Sequence, residues 1–133
     1  MIALEPDFLR GSYPPIVTPF SDGDVDYETF ARLIDHQVAE GSHGVLVCGT
    51  TAEPATLTAE ERSRLVKTAV ETAAGRLPVV AATGSQSHAE TVWLTDQAVR
   101  AGADAVLVVT PYYIRPPQRG LVAYFADIAR RTD

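Results

Sequence analysis

A chain of 133 residues, 46% hydrophobic and 21% charged, can bury one core of ordinary size and is too apolar to remain disordered. Its formal charge of −6 has the wrong sign for a nucleic-acid surface, and its longest apolar runs, about six residues, fall far short of the ~18 a membrane helix needs. The acidic start Met1 to Asp7 lacks a leader pattern and the single cysteine, Cys48, excludes an internal disulfide, so a cytoplasmic chain with neither nucleic acid nor membrane as partner is expected.

Tyr13 to Val17 reads as a first strand, with Pro14 and Pro15 at its beginning because neither can donate to a ladder. Asp22, Asp24 and Asp26 lack the downstream pattern of a calcium loop and mark a solvated turn before a helix cap. Phe30, Leu33, Ile34 and Val38 follow at helical spacing, with Gly41 as the stop. Val45 to Cys48 is an unbroken apolar run, as are Val79 to Ala82 and Val106 to Val109. Continuous rather than alternating hydrophobicity marks a parallel strand buried on both faces.

Between these runs lie three more helical patterns. Leu65, Val66, Ala69, Val70 and Ala73 form one stripe, Ala89 to Val99 a second, and Leu121, Tyr124, Phe125, Ile128 and Ala129 a third. Thr58 with Glu61, and Ser87 with Glu90, read as capping boxes, and Gly75 and Gly102 as stops. The order is βαβαβαβα, with about 30 residues per unit. The segment from Gly41 to Val47 is echoed two units later from Gly102 to Val108. Two architectures accept this order, an open doubly wound sheet and part of an eight-stranded barrel. A TIM (β/α)8 barrel takes about 250 residues, so residues 1–133 are expected to form its N-terminal half, a (βα)4 portion of one domain. Half a barrel exposes strand edges, so either a fragment or a chain that pairs with another is expected.

In such folds chemistry sits on loops at the C-terminal ends of the strands. After the second strand, Gly49 permits a tight bend, and the amides and hydroxyls of Thr50 and Thr51 suit a small carboxylate or phosphate. The competing reading is a turn whose hydroxyls satisfy local backbone groups. After the fourth strand, Tyr112-Tyr113 puts a phenol on the same rim, where it can pass a proton if a hydroxyl such as that of Thr50 holds it in line. Aromatic rings covering a barrel end or a subunit contact are the alternative. Thr83-Gly84-Ser85 reads as an ordinary turn more readily than as an anion nest. His36, His43, His88 and Cys48 have no metal-ligand spacing, so no metal is expected, and Cys48 inside an apolar strand reads as an inert thiol.

Taken in order, these motifs resemble the dihydrodipicolinate synthase and N-acetylneuraminate lyase family of class I, Schiff-base aldolases. The matching segments are Thr18-Pro19-Phe20 with Val25-Asp26, Gly49-Thr50-Thr51-x-Glu53 with Leu57-Thr58-x-x-Glu61, and Thr110-Pro111-Tyr112-Tyr113-x-Arg115-Pro116. The likeness runs from Gly11 to Asp133, and the paired threonines and tyrosines favour the dihydrodipicolinate synthase branch. It implies a homo-oligomeric barrel, a dimer or tetramer, that condenses pyruvate with aspartate 4-semialdehyde without a cofactor. Position by position, it implies that Thr50 and Tyr113 are catalytic members of a proton relay, Tyr113 reaching a neighbouring subunit's site. Thr50 and Thr51 would bind the pyruvate carboxylate.

Ala52 stands where the family usually has glycine, and Ile114 where this branch commonly has asparagine. These departures keep open a 2-keto-3-deoxy sugar acid aldolase or a related pyruvate-dependent enzyme. A non-catalytic half-barrel acting as an assembly module is the third reading. Residues matching the family's lysine-feedback pocket are only partly kept: Tyr112 and Glu90 agree, while Gln86 and Arg62 replace asparagine and histidine. Arg62 would repel a cationic effector, so weak or no lysine inhibition is expected. The only lysine, Lys67, lies within an amphipathic helix, where its amine stays solvated and charged. The family's catalytic lysine is on the sixth strand, so this chain alone is expected to be inactive.

Overall fold

The computed structural model describes residues 7–132. Its elements are β1 (Phe20–Ser21), β2 (Asp24–Val25), α1 (Tyr27–Ala39), β3 (Val45–Val47), α2 (Ala59–Ala73), β4 (Val79–Ala82), α3 (His88–Ala101), β5 (Ala105–Leu107) and α4 (Gln118–Ala129). Two 3₁₀ turns, Thr50–Ala52 and Pro54–Thr56, follow β3.

Strands β3, β4 and β5 form a parallel sheet in chain order, with Val45 opposite Val79 and Val80 opposite Ala105. The expected first strand is reduced to one parallel bridge, Pro15 to Leu46, beside β3. Leu46 donates its amide to the Pro14 carbonyl at 3.1 Å, and the Ile16 amide returns a bond to the Leu46 carbonyl at 2.9 Å. Pro14 and Pro15 have no N–H and cannot extend the ladder, and the next backbone bond between the two segments is His43 N–H to the Ser12 carbonyl at 3.0 Å. Spatial order therefore follows chain order across four positions without the reversal of a doubly wound sheet. The helices likewise pack in succession, α1 on α2, α2 on α3 and α3 on α4. This is a (βα)4 portion of a TIM barrel.

Val45, Val47 and Val79 belong to one buried cluster with Phe30, Ile34 and Leu65. Complete burial of side chains of this size contributes roughly 1.5–3 kcal/mol each. On β3 the alternation is buried, half-buried, buried, so Leu46 faces the opposite side of the sheet from the two valines. The apolar run read as Val106 to Val109 pairs only through Leu107. Leu107 and Val109 are half exposed on the unpaired edge of the sheet.

The helix starts follow their side-chain chemistry. Asp26 caps α1, accepting from the Thr29 amide at 2.9 Å, and hydrogen bonds from the Thr29 hydroxyl and amide hold its carboxyl below the ordinary value. The Thr58–Glu61 box forms in both directions, at 3.1 and 2.7 Å. The Ser87–Glu90 box forms only by half. Ser87 accepts from the Glu90 amide at 3.3 Å, but the Glu90 carboxylate takes the Ser85 hydroxyl instead of returning to the cap. Gly102 ends α3 with φ 87°, as its position predicts. At the end of α2 Gly75 has φ 74°, as its position predicts, and Ala74 before it is also left-handed at φ 49°. Asp22-Gly23, read as a simple turn, closes a hairpin between β1 and β2 with positive φ at both residues. No helix among the described residues is long and apolar enough to cross a membrane.

Candidate active site

The C-terminal ends of β3, β4 and β5 open on one cavity of about 560 Å³. Thr50 and Glu53 line it from the loop after β3, Ala82 and Gly84 from the end of β4, and Val109 and Tyr112 from the loop after β5. The three loops singled out from sequence therefore meet at one place.

The loop after β3 bends through Cys48, whose φ of 58° lies in the left-handed region. Gly49, expected to supply that bend, is extended at φ −68° and ψ −178°. A Cβ on it would lie 3.0 Å from a Leu46 methyl carbon, so side-chain space rather than backbone freedom bears on this glycine. The turn that follows is closed by Ala52 N–H to Gly49 O at 2.9 Å and Glu53 N–H to Thr50 O at 3.1 Å. These bonds use the amides at its end and leave those of Thr50 and Thr51, at its start, without a backbone acceptor among the described residues. Neither threonine hydroxyl bonds a protein group among the described residues, whereas Thr56 donates to the Glu53 carbonyl. The alternative of hydroxyls satisfying local backbone fits Thr56 and does not fit Thr50 or Thr51.

Thr18 holds this turn from beneath. Its hydroxyl is buried and donates to the Ala52 carbonyl at 2.9 Å, across 34 positions of sequence. Thr18-Pro19-Phe20 stood out as a rim motif, but a single hydroxyl in a Pro-flanked segment carries no sign of its distant acceptor.

The sequence candidates do not all converge within one chain. Thr50 lines the cavity, and Thr51 sits exposed on the same turn. Tyr112 lines the cavity and Tyr113 does not. Tyr113 is 98% exposed, with φ 67°, and projects from the loop after β5. Adjacent residues point different ways, and here they divide between the cavity and the outer surface.

Thr83-Gly84-Ser85 is an ordinary turn whose polar groups are engaged internally. The Thr95 hydroxyl donates to that of Thr83 at 2.9 Å, and the Ser85 amide donates to the Thr91 hydroxyl at 3.0 Å. Gly84 serves close packing: a Cβ there would lie 2.6 Å from the Val109 amide nitrogen.

Beneath this wall lies Arg62, 5% exposed. One terminal nitrogen, Nη2, donates to the carbonyls of Ala82 at 3.1 Å and Gly84 at 3.2 Å, while its Nε is buried without a partner. The Cys48 thiol contacts the Arg62 carbonyl at 3.6 Å, and burial pushes that thiol up to about 12, with Arg62 opposing. Such a thiol is not a nucleophile at neutral pH. Lys67 is solvated, its side chain 66% exposed and 3.7 Å from Glu71.

The model of the dihydrodipicolinate synthetase family matches residues 8–133. A 4-hydroxy-tetrahydrodipicolinate synthase of Phenylobacterium zucineum is 51% identical over 125 residues, covering 94% of this chain and 42% of the relative. The crystal structure of dihydrodipicolinate synthase from Aquifex aeolicus superposes with a TM-score of 0.90 at 47% identity, over 92% of this chain and 42% of that one. The chloride-inhibited enzyme from Acinetobacter baumannii, solved in complex with pyruvate, gives a TM-score of 0.86 at 39% identity, over 91% and 42% of the two chains. The chain thus spans about two fifths of the length of the relatives it matches. By sequence and by fold, it belongs to the dihydrodipicolinate synthetase family.

Proposed function

We propose that residues 1–133 supply the pyruvate-binding side of a 4-hydroxy-tetrahydrodipicolinate synthase, a lyase that joins pyruvate to aspartate 4-semialdehyde. The observation that carries this reading is the free donor set on one turn, the hydroxyls and leading amides of Thr50, which lines the cavity, and of Thr51, exposed beside it. That set matches the two oxygens of a small carboxylate. The imine requires an amine that is partly neutral, and solvated Lys67 does not meet that requirement. The reacting lysine then lies outside these residues, and this segment by itself is inactive.

In this mechanism the lysine amine adds to the pyruvate ketone and expels water. Loss of a methyl proton gives an enamine, whose carbon attacks the aldehyde. Thr50 passes the protons together with a tyrosine. Tyr113 takes that part in a neighbouring copy's site, since it projects from its own chain rather than into its own cavity. A homo-oligomer, a dimer or a tetramer, follows from this exchange.

The test is borohydride reduction of the complete gene product in the presence of pyruvate. A mass increase on one lysine is expected, and Thr50→Val should cut turnover about 10²-fold or more if the relay carries proton transfer. Absence of the adduct refutes the reading. A 2-keto-3-deoxy sugar acid as the substrate is the second reading, kept open by Ala52 and Ile114, which stand where the family usually has glycine and this branch commonly has asparagine. Faster turnover of such acids than of aspartate 4-semialdehyde would establish it.

A further inference from the structure

Arg62 is the only charged side chain among the buried described residues, and the mechanism above makes no use of it. A buried guanidinium ordinarily has a carboxylate partner, because an unpaired charge in low dielectric is costly. No carboxylate lies within 4.0 Å of this one among the described residues. Its compensation is the pair of carbonyls at Ala82 and Gly84, and its Nε has none. Both carbonyls belong to cavity-lining residues, and Cys48, which contacts the Arg62 backbone, is a third. The cation therefore stands one residue behind the cavity wall.

We infer that Arg62 is a positioning residue whose unneutralised charge makes the cavity prefer a small carboxylate over a neutral analogue of the same shape. It acts through the wall it holds, without touching the ligand, and the inference rests on the keto-acid reading of this cavity. The one carboxylate among the lining residues, Glu53, is exposed at the lip, where water screens its opposing charge. Arg62, 5% exposed, is screened much less, so the balance favours an anion.

The experiment compares binding of pyruvate with that of its uncharged amide, pyruvamide, to the complete gene product by isothermal titration. Arg62→Gln keeps an N–H donor for the carbonyls and removes the charge. It should weaken pyruvate about tenfold and change pyruvamide less than about twofold. Arg62→Lys should keep the wild-type ratio. If Arg62→Gln does not fold, Arg62→Met, which retains the apolar stem, carries the same comparison. Equal weakening of both ligands, or an unchanged ratio, makes Arg62 a purely structural clamp and overturns the inference alone. Wild-type protein that binds neither ligand overturns the keto-acid reading as well.

Discussion

Replacing Thr18 by valine removes one hydroxyl and keeps the branched shape, so its effect isolates the bond to the Ala52 carbonyl. That bond is 2.9 Å long, and Ala52 is 1% exposed. The lost bond is worth about 1 kcal/mol net, but water cannot easily reach the carbonyl left behind. The penalty for an unsatisfied buried acceptor, about 1–3 kcal/mol, therefore governs the size of the effect. Because the carbonyl belongs to the turn that carries Thr50 and Thr51, part of this cost can be relieved by loosening the turn, which moves the donors of those two residues. Thr18→Val should thus lower the urea midpoint of the complete gene product by an amount worth about 1–2 kcal/mol and raise KM for pyruvate more than it lowers kcat. Thr18→Ser, which restores the donor, should recover most of both. A valine variant with lowered stability and an unchanged KM would refute the claim that this hydroxyl positions the turn.

Four further outcomes follow from the same geometry. Gly84→Ala puts a Cβ 2.6 Å from the Val109 amide nitrogen and should destabilise by about 1–3 kcal/mol, measured by denaturant unfolding, because backbone and not a flexible side chain must move. Cys48, 1% exposed with its thiol pushed up to about 12, should resist iodoacetamide at pH 8 in the folded protein and react once unfolded, as mass spectrometry would show. Asp26 has a folded pKa below its unfolded value, so its contribution is full above the unfolded value, about 3.9, and is lost as pH falls through the lower folded value. Asp26→Asn should therefore lower stability at neutral pH and flatten the acid limb of the stability curve below pH ~4, as urea unfolding measured across pH would show. Finally, lysine should inhibit the complete enzyme weakly or not at all, and potent inhibition in an activity titration would show that Arg62 leaves the effector pocket usable.

The elements that could be read directly were those whose local signals and tertiary packing agree. Thr58 and Glu61 mark the start of α2, the stripe from Leu65 to Ala73 fills its inner face, and nothing competes for those groups. At α3 the same signal was half misleading. Glu90 had a better partner in Ser85, brought near by the turn after β4, and no rule of local spacing contains that choice. The first strand failed for a comparable reason: its apolar character is real, yet two prolines remove the donors that would make it a ladder. The hairpin at Asp22-Gly23 was legible in principle, because that dipeptide satisfies positive φ at both central positions.

The site divides along the same line. Thr50 and Thr51 were accessible from sequence because a short motif after a buried strand has one place to go in a parallel α/β fold. The residues that shape the motif were not, since their partners are remote: Thr18 reaches Ala52 across 34 positions, and Arg62 reaches Ala82 and Gly84 across 20 and 22. Each makes its contact through a generic donor, a hydroxyl or a guanidinium, to a backbone carbonyl, and a carbonyl carries no residue identity to read. Motifs at strand ends therefore report which residues reach the cavity rim, while the side chains that brace that rim make contacts that exist only after the chain has closed on itself. Arg62 shows the consequence most sharply: the resemblance marks it only as a departure in the feedback pocket, and the fold makes it a buried cation behind the wall of the cavity.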